Sequence, residues 1–175
     1  MHTQMRQFQL IKQIESYAIL ELLEIEDFSL NANDVSSALQ IDLEFSEYLI
    51  ELLKSHNWIK YDSNSKKWKS ALGQTTTDPL CEKTKDARIM LMKSILNKSL
   101  HSYLSIPREY RSHYARTFAI DRRLLNQYIE KVRAFTTELE KWIVEHSQEP
   151  NEVYQIQFGM YPISYFYKNS EKKEA

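Results

Sequence analysis

Glycine is almost missing from this chain: only Gly73 and Gly159 stand among 175 residues, alongside four prolines. Tight hairpin turns, phosphate-cradling loops and collagenous repeats all need the backbone freedom that glycine supplies. Their scarcity disfavours all-β meanders and glycine-rich nucleotide sites, and favours helix. Hydrophobic residues make up 42% of the chain and are spread along its whole length, enough to fill the core of one ordinary domain or two small ones.

Apolar spacing gives the order of elements. Phe8, Ile11, Ile14, Ala18, Leu22 and Ile25 recur at helical intervals over residues 5–26, which predicts a first amphipathic helix. Capping side chains in 29–34 precede Val35, Ala38 and Leu39, a short second helix. Asp42 is placed to cap a third, with Phe45, Leu49, Leu52 and Leu53 on one stripe. Trp58 to Tyr61 reads as a strand, 62–65 as a turn and Lys66 to Lys69 as the returning strand. Three helices and a hairpin predict a winged-helix-like unit over 1–71. The threonine-rich stretch that follows has no period, so 72–83 is expected to be a linker.

The second half, 84–167, reads as helix-strand-helix-strand. Thr84 is placed to cap a helix to about Leu104 with Leu91, Ile95, Leu96, Leu100 and Tyr103 inward, and Pro107 stops it. Alternation predicts strands at 114–120 and 153–160, pairing with each other. Between them Leu125, Tyr128, Val132, Phe135, Leu139 and Trp142 follow at intervals of three and four, a helix seam. That seam can pack within its own domain or on a second copy of the chain, and the spacing leaves both open. Residues 168–175 are polar and read as a tail. The expected fold class is therefore α+β and mostly helical.

Charge is unevenly distributed beneath a net −1. Residues 15–51 hold ten acids and no lysine or arginine, whereas 83–133 hold twelve bases against four acids. A field of one sign concentrates an oppositely charged partner, although two such blocks can also face each other within a monomer or across a dimer.

Several segments resemble a known family: 16–23 with Phe28, Leu52 and Leu53 with Trp58 and Trp68, the Ile106-Pro107-Arg108-Glu109-Tyr110-Arg111 turn, and Val153 to Phe158 with Tyr161-Pro162-Ile163. They look like a lineage-specific bacterial paralogous family described as transcriptional regulators, whose carboxy-terminal region is catalogued as domain of unknown function 4423. The resemblance runs from about residue 8 to 164 and implies a helix-turn-helix regulator with no assigned chemistry in its second half. Two departures stand out. Members often carry a further amino-terminal helix-turn-helix, to which nothing here corresponds, and the turn at 62–65 lacks the glycine the family tends to place there.

A DNA-reading helix offers amides and cations to base edges, with lysines and arginines around it on phosphates. The third helix offers Asp42, Glu44, Glu47 and Glu51 instead. The candidate DNA contacts are therefore the wing lysines Lys60, Lys66, Lys67 and Lys69 and the arginines Arg108, Arg111, Arg116, Arg122 and Arg123. The expected partners are DNA, held by those side chains, and a second copy of the chain through the seam; no membrane partner is expected, since no apolar run approaches the roughly 20 residues needed to cross a bilayer. No enzyme motif, metal site or cofactor site is expected. The five histidines keep no ligand spacing, and Cys81 has no second cysteine to pair with. Nothing from Met1 onward reads as a leader, so a cytoplasmic location is expected. Two other functions stay open: a protein-binding adaptor that never touches DNA, and a sensor holding a small molecule between the seam helix and the terminal strand.

Overall fold

The structure, a computed structural model, describes residues 10–71 and 85–164. The expected linker 72–83, the Thr84 cap, Phe8, Cys81 and the tail 168–175 lie outside these. The described residues are mostly helical with one two-stranded sheet, an α+β chain as the order of elements predicts. Contacts divide the protein into two units, one of residues 1–119 with 147–153 and the other of 120–146 with 154–175.

In the first unit, helix α1 (Ile14–Leu22) is shorter than its apolar repeat suggests, because Gln13 takes an extended backbone and interrupts the run behind Leu10 and Ile11. Asn31 starts α2 (Ala32–Leu39): its side-chain oxygen accepts from the Asp34 N–H at 2.9 Å, one of the amides a helix start leaves unpaired. Val35 of α2 is buried and Leu39 half-buried, while Ala38 is open. Asp42 does precede α3 (Leu43–Ser55), but its side chain makes no capping bond; the Ser46 hydroxyl instead donates to the Asp42 carbonyl.

The end of α3 is set by two reverse bonds. The Asn57 N–H donates to the Lys54 carbonyl at 3.0 Å and the Trp58 N–H to the Leu53 carbonyl at 2.9 Å, with Asn57 left-handed at φ 56°. This is the helix-ending arrangement that usually employs glycine. It turns the chain directly into strand β1 (Ile59–Asp62), which pairs antiparallel with β2 (Lys67–Ser70). Leu10, Ile19, Val35, Leu49 and Leu53 are fully enclosed and pack with Trp58 and Ile59, so α1, α2, α3 and the base of the hairpin share one core. Each such side chain contributes about 1.5–3 kcal/mol on burial.

Helix α4 (Lys85–Ser105) joins that core only through Ala87. It lies against α1, where Lys98 meets Glu15 at 3.8 Å. Leu96, Leu100 and Tyr103, expected inward, are exposed. After Pro107 a short 3₁₀ turn spans Arg108–Tyr110.

In the second unit, a 3₁₀ turn at Arg122–Leu124 leads into α5 (Leu125–His146). Asp121 caps the turn by accepting from the Arg123 N–H. The seam is helical throughout, yet α5 has no buried residue. The strands expected at 114–120 and 153–160 are not formed; neither segment carries strand or helix. Alternation fixes which side chains share a face, but a strand exists only through its ladder partner, and here Tyr114, Phe118, Tyr154, Ile156 and Phe158 stay largely open.

Candidate nucleic-acid interface

The hairpin positions its lysines by register. Lys60 stands opposite Lys69 and Asp62 opposite Lys67, so all four side chains leave the same face of the sheet. The other face carries Ile59, Tyr61 and Trp68, with Ile59 buried and Trp68 half-buried. Tyr61 meets Trp68 edge-on at 5.6 Å, and the Lys54 ammonium lies 5.2 Å from the Trp68 ring centre. One apolar face anchors the hairpin, and the other is left to water and to charge.

Like charges directly opposite each other destabilise a ladder. Asp62 relieves the Lys60–Lys69 pair by drawing the Lys69 ammonium to 2.7 Å. The same carboxylate organises the turn, accepting from the Asn64 N–H at 2.9 Å and the Ser65 hydroxyl at 2.8 Å. The Lys69 ammonium, then these two donors, hold the Asp62 carboxyl well below the usual carboxylate range. Lys67 donates to the Glu26 carbonyl. Lys60 and Lys66 are exposed and have no ion-pair partner among the described residues. Lys66 is left-handed at φ 54°, the position where a glycine would relieve the turn.

The arginines divide between the two units. Arg108, Arg111 and Arg116 belong to the first unit, Arg122 and Arg123 to the second. Arg111 folds back after Pro107: its Nε donates to the Ile106 carbonyl at 2.7 Å and its guanidinium covers the Tyr103 ring at 4.5 Å. Arg116 donates to the Tyr114 hydroxyl at 2.6 Å. Arg123 grips Asp121 at 2.8 Å, which lowers the pKa of the acid and raises that of the base. Arg108 is exposed. Most of this set is thus engaged within a few residues of its own position, a local role that spacing along a sequence does not reveal.

Composition also hid a small aromatic stack. The His113 ring meets Tyr103 edge-on at 5.2 Å while its Nε2 lies 3.2 Å from the Ser102 hydroxyl, so Tyr103 is contacted by both His113 and Arg111. The signal was the aromatic at 103 placed just before a proline turn rich in cations. It is a surface stack around a turn, without a nucleophile and base arranged about an enclosed space. No cluster of metal-binding side chains occurs among the described residues.

On α3 the open face carries Asp42, Glu44, Glu47 and Glu51 together with Leu43 and Tyr48. Glu51 has Lys54 at 3.6 Å, and Phe45 stacks on Tyr48. The seam residues of α5 are placed on one face as expected: Leu125, Tyr128 and Leu139 are half-covered, while Val132, Phe135 and Trp142 are exposed. No described helix is long and apolar enough to cross a membrane.

These features define a mostly helical α+β protein with a basic hairpin. The chain belongs to the family described as domain of unknown function DUF4423, whose pattern it matches over residues 3–163. No curated protein and no solved structure matches it.

Proposed function

We propose that this chain is a non-catalytic transcriptional regulator, in which residues 1–71 form a winged-helix-like module and the second half serves assembly or sensing. It holds the DNA backbone through the wing, without reading sequence through α3. The observation that carries the reading is the one-faced array of Lys60, Lys67 and Lys69 beside Lys66 at the tip. Phosphates dominate the affinity of such a contact and make it steeply salt-dependent. Arg108 and the neighbouring basic side chains extend the contact where the duplex reaches them. The acids of α3 repel phosphate, which keeps the third helix out of the major groove.

The test is fluorescence anisotropy on a labelled duplex at low salt. Lys60→Glu with Lys66→Glu is expected to abolish binding, and the unaltered protein should lose affinity steeply as salt rises. Absence of any salt-sensitive binding by the unaltered protein removes this reading. An adaptor function then takes its place, favoured by the exposed Leu43 and Tyr48 set among four carboxylates on α3, a surface suited to a basic, partly apolar protein partner.

A further inference from the structure

Helix α5 has three heptads, and its seam sorts its side chains by size. Leu125, Val132 and Leu139 occupy one seam position of each heptad, and Tyr128, Phe135 and Trp142 the other. Every aliphatic falls in the first column and every aromatic in the second. The face is substantially open: Phe135 is 52% and Trp142 56% exposed, although Phe135 already has Phe158 edge-on at 5.7 Å on one side. The flanking column that precedes the aliphatic one contains Lys131 and Glu138, both exposed.

We infer that α5 pairs with α5 of a second copy of this chain, antiparallel and about a two-fold axis that passes between residues 133 and 134. The inference deepens the assembly role proposed above and does not depend on DNA contact. Seams pack well when large side chains face small ones. Parallel pairing would stack like on like, tyrosine on tyrosine, phenylalanine on phenylalanine and tryptophan on tryptophan, separated by thin aliphatic layers. Antiparallel pairing matches Leu125 with Trp142 of the second copy, Tyr128 with its Leu139 and Val132 with its Phe135. Every layer then holds one aliphatic and one aromatic side chain, and their volumes are even along the helix.

Charge selects the same orientation. Flanking columns set partner and orientation in helix pairs. In the antiparallel register Lys131 faces Glu138 of the second copy, and symmetry forms that pair twice. In a parallel register the same two side chains would face Thr136 and Ile143, leaving both charges without a partner across the seam. A two-fold interface uses one self-complementary patch, which this arrangement supplies.

The orientation is read by pulsed electron resonance on the full chain in a Cys81→Ser background, with single spin labels at Gln127, Ala134 or Lys141. The expected result is a short distance at 134 and distances longer by about 10 Å or more at 127 and 141, because residues 127 of the two copies sit about 20 Å apart along the axis at 1.5 Å rise per residue. Equal distances at all three positions mean a parallel pair and overturn the inference. Light scattering should report twice the 20.9 kDa chain mass; a single-chain mass throughout the micromolar range also overturns it. Lys131→Glu and Glu138→Lys should each weaken the dimer about three- to tenfold, as like charges meet twice across the axis. The two changes together should restore it, and failure to do so overturns the register. Both side chains are exposed, so folding of the chain is not at stake, and loss of DNA binding in any variant leaves these readings unaffected.

Discussion

Asp62 accepts from the turn that closes the hairpin and neutralises one of the lysines the hairpin displays. These two roles separate chemically. In Asp62→Asn the side-chain oxygen still accepts the Asn64 N–H, while Lys69 loses its counter-charge. DNA binding should therefore tighten several-fold, with the slope of log affinity against log salt steeper by about 1, as expected for one further phosphate contact; anisotropy titrations at several salt concentrations check it. The pH dependence follows from the same contacts. Lys69, Ser65 and the Asn64 amide favour the ionised carboxylate, so its folded pKa lies below the unfolded value. The stability it contributes is present in full above the unfolded carboxyl pKa of about 4 and is lost as pH falls toward the folded one. Amide resonances of 62–70 should lose dispersion in that acid range, and in Asp62→Asn that dependence should vanish.

Three turning points of this chain take the left-handed conformation without a glycine. Gln40 closes α2 at φ 52°, Asn57 follows α3 and Lys66 precedes β2, all left-handed and none a glycine. Gln40 is exposed, so Gln40→Gly should stabilise the fold by about 1 kcal/mol through relief of that backbone energy; a chemical denaturation curve with a higher midpoint and unchanged slope is the expected result. These same positions mark how far the sequence could be read. The apolar stripe of α3, the Trp58 and Trp68 strands and the heptads of α5 were legible because period reports directly on which side chains share a face. The start of α1 was not, since Leu10 and Ile11 keep the helical spacing across a break that only the Gln13 backbone reveals. The segments around Phe118 and Ile156 alternate as strands do, yet spacing cannot supply the ladder partner that neither segment has. The hairpin lysines were legible as exposed cations, but that Lys69 and Lys67 are engaged by Asp62 and Glu26 depends on register and on a distant carbonyl. Arg111 and Arg123 were legible as cations and illegible as local fasteners.

Across the molecule, apolar burial is concentrated early in the chain. Apart from Ala87, the cluster of buried side chains lies within 10–59, while α5 has no fully buried residue. A helix with an open apolar seam gains its stability from whatever packs on it, since intrinsic propensity alone is marginal in water. If α5 is held by a second copy, its melting should depend on protein concentration, whereas the core of α1, α2 and α3 should melt at a fixed temperature. Calorimetry over a hundredfold concentration range is expected to show one transition that moves and one that does not. The uneven charge belongs to this scale as well. Lys98 and Glu15 join the basic and acidic stretches at 3.8 Å, with the Glu15 side chain largely covered.

The three tryptophans occupy three distinct settings: Trp58 is enclosed in the core, Trp68 lies under Tyr61 and Lys54 on the hairpin, and Trp142 is on the open seam, stacked on His146 at 4.5 Å. The protein therefore carries its own optical probes. Its ultraviolet emission should be a composite with enclosed Trp58 at the blue edge, while Trp142, open in the single chain, should shift to the blue and lose its access to aqueous iodide when α5 pairs. Replacing two of the three with phenylalanine in turn would leave a single chromophore reporting separately on the core, the hairpin or the seam, with no dye attached.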